Sequence, residues 1–288
     1  MPSFLADDGT ELTYRLSGEG RPLVCLPGGP MQSCDYLGDL GGLDAERRLV
    51  LLDLRGTGRS AMPQDLGSCR CDRLVDDVEA LRRHLGLDRL DLIAHSAGTN
   101  IAVRYAERYP QRIASLTLIA PSPTAVGIAV TADVRRDTAL LRREEPWFPD
   151  AFAALEAVVA GQATSGSWQA VAPFRYGRWD ATAQAHRAAE DTQRNAEAAA
   201  VFGSEGAFDP DATRAALARL DRPVLLLAGE VDLNSPPPAV AEFAGLFPDA
   251  RLVVQSGAGH FPWLDDADAF VRATAAFPDT AAATSERA

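Results

Sequence analysis

Hydrophobic positions along the chain follow two rhythms. Glu11–Leu16 reads as a strand, and runs that are largely apolar occur at Pro22–Leu26, Arg48–Leu54, Leu90–His95 and Ile113–Ala120. After a long interval they resume at Pro223–Ala228 and Ala250–Gln255. Their length and lack of polar alternation predict buried strands. Between them apolar residues recur at spacings of three and four, as with Leu74, Val78, Leu81 and Leu85 in Cys71–Leu85, which predicts helices. Further helices are predicted over Ile101–Ala106, Ala239–Leu246 and Asp265–Ala276. Strands buried on both faces and joined by helices imply an α/β fold with a mainly parallel sheet, covered by helices on both sides.

Between about Pro123 and Asp209 the rhythm breaks. This stretch holds no good strand, is rich in Ala, Arg and acids, and carries scattered aromatics. It reads as a helical insertion, a cap or lid over one end of the sheet. The expected division is a core formed by residues 1–122 and 209–288, with 123–208 as the lid. Most of the aromatics are expected to hold the lid together. Trp147, Phe148, Trp168, Trp179 and Glu197 are the candidates for contact with a substrate. Beyond Phe277 the sequence DTAAATSERA reads as a frayed tail.

Composition narrows the function classes. The chain has 288 residues, 47% hydrophobic and 24% charged, which is ordinary for a soluble globular protein. Its net charge of −12 speaks against nucleic acid or an anionic membrane as partner, since both call for a basic surface. Every basic residue is arginine, so no lysine is present to form a side-chain Schiff base. No secretory leader is recognisable in MPSFLADDGTELTYR, and no apolar run reaches 18 residues. A cytoplasmic protein with reduced thiols is the expectation. Cys25 reads as a core residue, and Cys69-Arg-Cys71 is too isolated for a four-ligand metal site. A link from Cys34 to the 69–71 region stays open.

The segment LDLIAHSAGTNIAVRYA, residues 90–106, carries the chemistry. A strand passes into a helix through Ser96, flanked by Ala94 and Gly98. Such a turn strains the backbone of its central residue and demands small neighbours, because strand and helix nearly touch. In return the hydroxyl is held at the sheet edge beside helix amides that favour negative charge. The pattern is G-x-S-x-G with alanine in the first position.

A serine hydroxyl needs a base, and the base an orienting acid. PVLLLAGEVDLNSP places Asp232 after one strand, and RLVVQSGAGHFPW places His260 after the next. The order Ser96, Asp232, His260 is the one expected when these groups sit on such a sheet. Glu230 competes with Asp232 but lies two residues nearer the strand. His84 reads as a helix-end imidazole, His95 as structural, His186 as solvated, and Asp265 and Asp266 as the start of the last helix. The turn Pro27-Gly28-Gly29-Pro30 after a strand brings a main-chain N–H close to a substrate oxygen. Pro30 has no N–H, so Gly29 is the expected oxyanion donor, with Ala97 as the second.

Taken together, PGGP, LLDLRGTGRS (Leu51–Ser60) and AHSAG, followed by GEVD and GAGH, resemble the α/β-hydrolase superfamily, most closely its proline iminopeptidase-like branch. The resemblance covers the core almost end to end. It implies that Asp53, Arg55, Gly56, Gly58 and Ser60 form a loop bracing the oxyanion turn. Two departures stand out. Pro27 replaces the usual histidine, and the lid shows no motif matching the branch's amine-recognising acids. Glu144, Glu145, Glu190, Asp191, Glu197 and Glu205 are the available carboxylates, and acidic helix faces are usually just solvated.

The expectation is a cofactor-free, metal-free serine hydrolase acting on an ester or amide of a small molecule or short peptide. The aminopeptidase version follows the resemblance. Esterase, thioesterase or lactonase action on a small metabolite is the alternative, and a non-hydrolytic ligand-binding protein on the same fold is the rival from another class. A serine at the elbow disfavours the epoxide hydrolase and dehalogenase branches, which place Asp there.

Overall fold

The computed structural model describes residues 1–275 and Phe277. Among these, β1 (Ser3–Leu5), β2 (Glu11–Ser17), β3 (Pro22–Leu26), β4 (Arg48–Leu52), β5 (Leu90–His95), β6 (Ile113–Ile119), β7 (Val224–Gly229) and β8 (Ala250–Gln255) form one sheet. Its order is β1-β2-β4-β3-β5-β6-β7-β8. The first two strands run antiparallel to their neighbours, and the pairs from β4 through β8 are parallel.

Alternation along the strands shows why both faces need cover. In β3, Val24 and Leu26 enter one apolar cluster, while Leu23 and Cys25 enter another on the opposite face. Helices α1 (Cys71–His84) and α2 (Gly98–Arg108) pack on the first face. The three-and-four spacing read from the sequence is the buried stripe of α1: Leu74, Val75, Val78 and Leu81.

Residues between β6 and β7 carry α3 (Ala132–Leu140), α4 (Phe148–Val159), α5 (Ser165–Ala170), α6 (Ala181–Gln193), α7 (Ala196–Phe202) and α8 (Pro210–Leu217). Side-chain caps start all of these but α4: Thr131, Thr164, Asp180, Asn195 and Asp209 each accept a main-chain N–H from the first turn of a helix. Ala139, Ala151, Leu155 and Phe174 form a small apolar cluster together with Leu233 from the loop after β7. Helix α9 (Pro237–Ala244) packs on β7 and β8, and the described chain closes with α10 (Pro262–Asp265) and α11 (Ala267–Ala275).

Three expectations change. The edge strand β1 was not foreseen. The single last helix is two, because Asp266 is extended (φ −148°, ψ 92°) and its side chain caps α11 through the Ala269 N–H at 2.9 Å. Cys34 lies in the cluster with Cys25, whereas Cys69 and Cys71 lie in the other, and all four thiols are free. No link from Cys34 to the 69–71 region is formed. Burial pushes the Cys25 thiol up to about 12 and the Cys69 thiol up to about 11, so both remain protonated. Ala276 and the expected frayed tail lie outside the described residues. No helix among the described residues is long and apolar enough to cross a membrane.

Candidate active site

Ser96 follows β5 directly and adopts φ 52°, the left-handed region that an L-residue enters only under strain. Its N–H donates to the Ile119 carbonyl at 3.0 Å, and its carbonyl accepts the Thr99 N–H at 3.0 Å, so the turn is locked from strand and helix. The demand for small neighbours is visible. A Cβ on Gly98 would collide with the Pro27 carbonyl. One on Gly28 would stand 2.7 Å from the His95 carbonyl and 2.9 Å from the Ser96 Cβ. The turn at Gly28 and Gly29 and the elbow are thus in backbone contact. Ala94, where the pattern has glycine, is buried in register with Leu26 without disturbing the pairing of β5 and β3.

The three side chains singled out in the sequence meet. His260 Nε2 lies 2.8 Å from Ser96 Oγ, and its Nδ1 lies 2.7 Å from Asp232 Oδ2. A carboxylate accepts, so Nδ1 carries the hydrogen and Nε2 faces the hydroxyl with its lone pair. Asp232 is wholly buried, and its Oδ1 accepts the Asn234 N–H at 2.8 Å. Glu230 does something else. It accepts the Gly257 N–H at 2.7 Å and the Ser256 hydroxyl at 2.9 Å, and these bonds hold its carboxyl below the usual range. It ties the β7 loop to the histidine loop.

The histidine loop is held from a second side. The His260 N–H donates to the Arg175 carbonyl at 2.7 Å, and Asp265 Oδ2 accepts the Gly259 N–H at 2.8 Å. Burial raises the Asp265 pKa despite these bonds. Asp265 therefore ends α10 and braces the histidine loop from there, rather than starting a helix. Asp53 holds the other loop: its carboxylate accepts the Cys34 N–H at 2.8 Å, the Ser33 hydroxyl at 3.1 Å and the Arg59 N–H at 3.0 Å. Arg55 pairs with buried Asp77 and with Asp8 at 2.6 Å. Against a desolvation that acts the other way, the Thr10 N–H at 3.0 Å, and after it Arg55, hold the Asp8 carboxyl down at about 2.

Tyr36 and His95 form a connection that sequence reading missed. The Gly28 N–H donates to Tyr36 Oη at 2.7 Å, and Tyr36 Oη lies 2.8 Å from His95 Nδ1. His95 Nε2 lies 2.8 Å from the His260 carbonyl, which can only accept. The hydrogen is therefore on Nε2, and the tyrosine hydroxyl donates to Nδ1. Burial, and then the nearby His260, push the His95 pKa well below its ordinary value, in keeping with a neutral ring. Because its N–H is committed to Tyr36, Gly28 is not an oxyanion donor. The Gly29 and Ala97 N–H groups have no acceptor among the described residues.

A cavity of about 690 Å³ opens over Ser96 and His260. Its walls come from both parts of the chain. Gly29, Gln32 and Leu233 face Leu155, Val158, Val159, Val171 and Phe174 from the insertion. Of the five substrate-contact candidates only Trp168 lines it, and that ring is 58% exposed. Trp147 instead stands edge-on to Phe174 and under Arg142, and Phe148 stacks on Phe152. Trp179 packs on Tyr176, and Glu197 is exposed on α7. Nor is His186 solvated: it lies 2.9 Å from the Tyr176 hydroxyl and 3.2 Å from the Tyr36 carbonyl. Among the acids weighed as ammonium partners, only Glu190 and Asp191 reach the cavity wall, and both are paired with arginine.

A mainly parallel sheet with antiparallel leading strands, a strained serine between β5 and α2, and the acid and imidazole in the loops after β7 and β8 define a class of fold. The chain belongs to the family described as alpha/beta hydrolase fold, whose model matches residues 21–267. It is 36% identical over 149 residues to a proline iminopeptidase from Xanthomonas citri, covering 51% of this chain and 42% of that protein. It is 35% identical over 109 residues to one from Heyndrickxia coagulans, covering 38% of each. The matches thus span roughly two fifths of these relatives' own length. A solved proline iminopeptidase from Mycobacterium smegmatis superposes with a TM-score of 0.72 at 24% identity, covering 99% of this chain and 100% of that one. An esterase from Exiguobacterium antarcticum reaches the same TM-score at 17% identity, covering 96% and 98%. At these identities the superpositions speak for the fold.

Proposed function

We propose that the chain is a serine hydrolase working through an acyl-enzyme on Ser96. The observation that carries this is the hydrogen-bonded row Ser96–His260–Asp232 beside two main-chain N–H groups without acceptors. Ser96 Oγ attacks the carbonyl carbon while its proton passes to His260 Nε2. Charge on the tetrahedral oxygen is met by the Gly29 and Ala97 amides, each worth about 3 kcal/mol. The proton then goes to the departing alcohol or amine as its bond to carbon breaks. Water repeats the sequence, giving the acid and restoring the hydroxyl. Asp232 keeps the imidazole in the one tautomer that serves. Residues 123–208 act as the cap that excludes solvent, since their side chains form one wall of the cavity.

Within that chemistry an ester, thioester or lactone fits the cavity best. An aminopeptidase must bind an ammonium group, and Glu190 and Asp191 are already matched by Arg175 and Arg187. The aminopeptidase reading is the second one, favoured by the names of the relatives at 35% and 36% identity.

A fluorophosphonate probe tests the main reading: it labels Ser96 in the wild type and not in Ser96→Ala. A folded protein left unlabelled at neutral pH would remove the proposal. A paired screen of p-nitrophenyl esters and aminoacyl arylamides separates the two versions, with turnover expected for the esters. Faster cleavage of prolyl arylamide than of its acetylated form would favour the aminopeptidase instead.

A further inference from the structure

We infer that the substrate carries a carboxylate, held by Arg135 where two cavities meet over Ser96. This rests on the serine-hydrolase reading and adds the substrate class to it. Besides the large cavity there is a smaller one of about 320 Å³, lined by Ser122, Thr124 and Ser235 together with Pro123, Ile128 and Val130. The two share Ser96, His260, Arg135 and Asn234, so a substrate reacting at Ser96 has room on either side of its scissile bond. Arg135 is therefore within reach of the acyl part and of the leaving part.

The guanidinium has little to occupy it. Nη1 donates to the Leu233 carbonyl at 2.7 Å. Among the described residues no carboxylate lies within ion-pair distance of it. The contrast is with Arg175, paired with Glu190 at 2.5 Å, and Arg187, paired with Asp191 at 3.3 Å on the same cavity wall. Asp232 is near enough to act on Arg135 through space. Its oxygens, though, are taken up by His260 and the Asn234 N–H. Burial lowers the Arg135 pKa, as befits a cation that has shed water without gaining a full counter-charge. A planar fork with free N–H groups is shaped to take a carboxylate bidentately.

The wider field agrees. Arg135, Arg175, Arg187 and Arg194 line the large cavity against Glu190 and Asp191 alone, inside a protein whose net charge is −12. A cationic hollow in an acidic surface concentrates small anions and turns ammonium groups away.

The test uses the full chain and two substrate pairs. Mono-p-nitrophenyl adipate is set against p-nitrophenyl methyl adipate, and 4-carboxyphenyl butyrate against phenyl butyrate. The first pair carries the charge on the acyl side and the second on the alcohol side. The readout is the ratio of kcat/KM, anionic over neutral, in wild type, Arg135→Gln and Arg135→Lys. In at least one pair this ratio is expected to fall about tenfold in Arg135→Gln and to recover in part in Arg135→Lys. The pair that responds tells which side the carboxylate occupies. A ratio changing less than fivefold in both pairs overturns the inference. Probe labelling of Ser96 reports whether each variant's site is assembled, and Arg135→Lys carries the comparison if Arg135→Gln does not fold. Wild type that is neither labelled nor active on any of the four esters instead removes the underlying hydrolase reading.

Discussion

His95 and His260 are joined through a 2.8 Å hydrogen bond from the side chain of the first to the main-chain carbonyl of the second. The residue before Ser96 in the chain thereby fixes the backbone of the residue facing Ser96 in space. A charged His95 would have to donate from both nitrogens, and Tyr36 would have to give up its own O–H bond and accept instead.

That requirement sets a pH dependence of stability. The folded pKa of His95 lies below its ordinary value, and that of half-buried His186 is lowered too, first by burial. The unfolded chain therefore takes up protons that the folded one refuses. Stability is full above about pH 6.5 and falls as pH drops below it, by up to about 1.4 kcal/mol per pH unit for each group. Urea midpoints measured from pH 7.5 to 5.5 should decline in wild type and decline less steeply in His95→Gln. Parallel declines would show that His95 is not the group responsible.

Asp232→Asn should lower kcat by about 10⁴, because an amide in place of the acceptor admits the wrong tautomer of His260. Glu230→Gln touches only Ser256 and Gly257, so its kcat should fall by less than about tenfold. Steady-state kinetics on one activated ester decides this, and equal losses would mean that Asp232 has been given the wrong role.

Gly28→Ala tests the contact between elbow and oxyanion turn. The new methyl meets the His95 carbonyl at 2.7 Å and the Ala97 nitrogen at 3.0 Å, so the turn must retreat and carry the Gly29 N–H with it. Loss of one donor is worth about 3 kcal/mol, a fall of roughly 100-fold in kcat with little change in KM. Unaltered kcat would mean that the Gly29 N–H is not an oxyanion donor.

The strain at φ 52° is separable from the chemistry. Ser96→Ala keeps the left-handed conformation on a residue with a Cβ, while Ser96→Gly relieves it. The glycine variant should be the more stable of the two by about 1 kcal/mol in chemical denaturation. The reverse order would mean that the turn relaxes once the hydroxyl is gone.

Much of this was legible before any coordinates. Strands buried on both faces are apolar throughout, so β3 to β7 could be read from runs such as PLVCL and PVLLLA, and the crowding at Ser96 from Ala94 and Gly98. The family of the chain was legible from the same segments. β1 was not, because three residues have no period of their own and owe their conformation to pairing with β2. The cavity wall was misjudged for a related reason. Aromatics are conspicuous in a sequence, yet Trp147, Phe148 and Phe152 satisfy one another, or Phe174, within the insertion. The face that looks toward Ser96 is lined by aliphatic Val158, Val159 and Val171, and by arginines whose partners are set by folding. One partner of His186, the Tyr36 carbonyl, lies 150 positions away. No local signal announces it.

The main-chain bond from His260 to Arg175 restricts how the molecule can breathe. With one rim of the insertion stapled to the loop that carries the imidazole, a swing of the whole insertion would pull the base out of line with its serine. No such bond ties α4 or α5 to the histidine loop among the described residues. On the proposed mechanism, loosening around α4 and α5 would leave the bond between Arg175 and the His260 loop in place, so the imidazole would stay in line with Ser96.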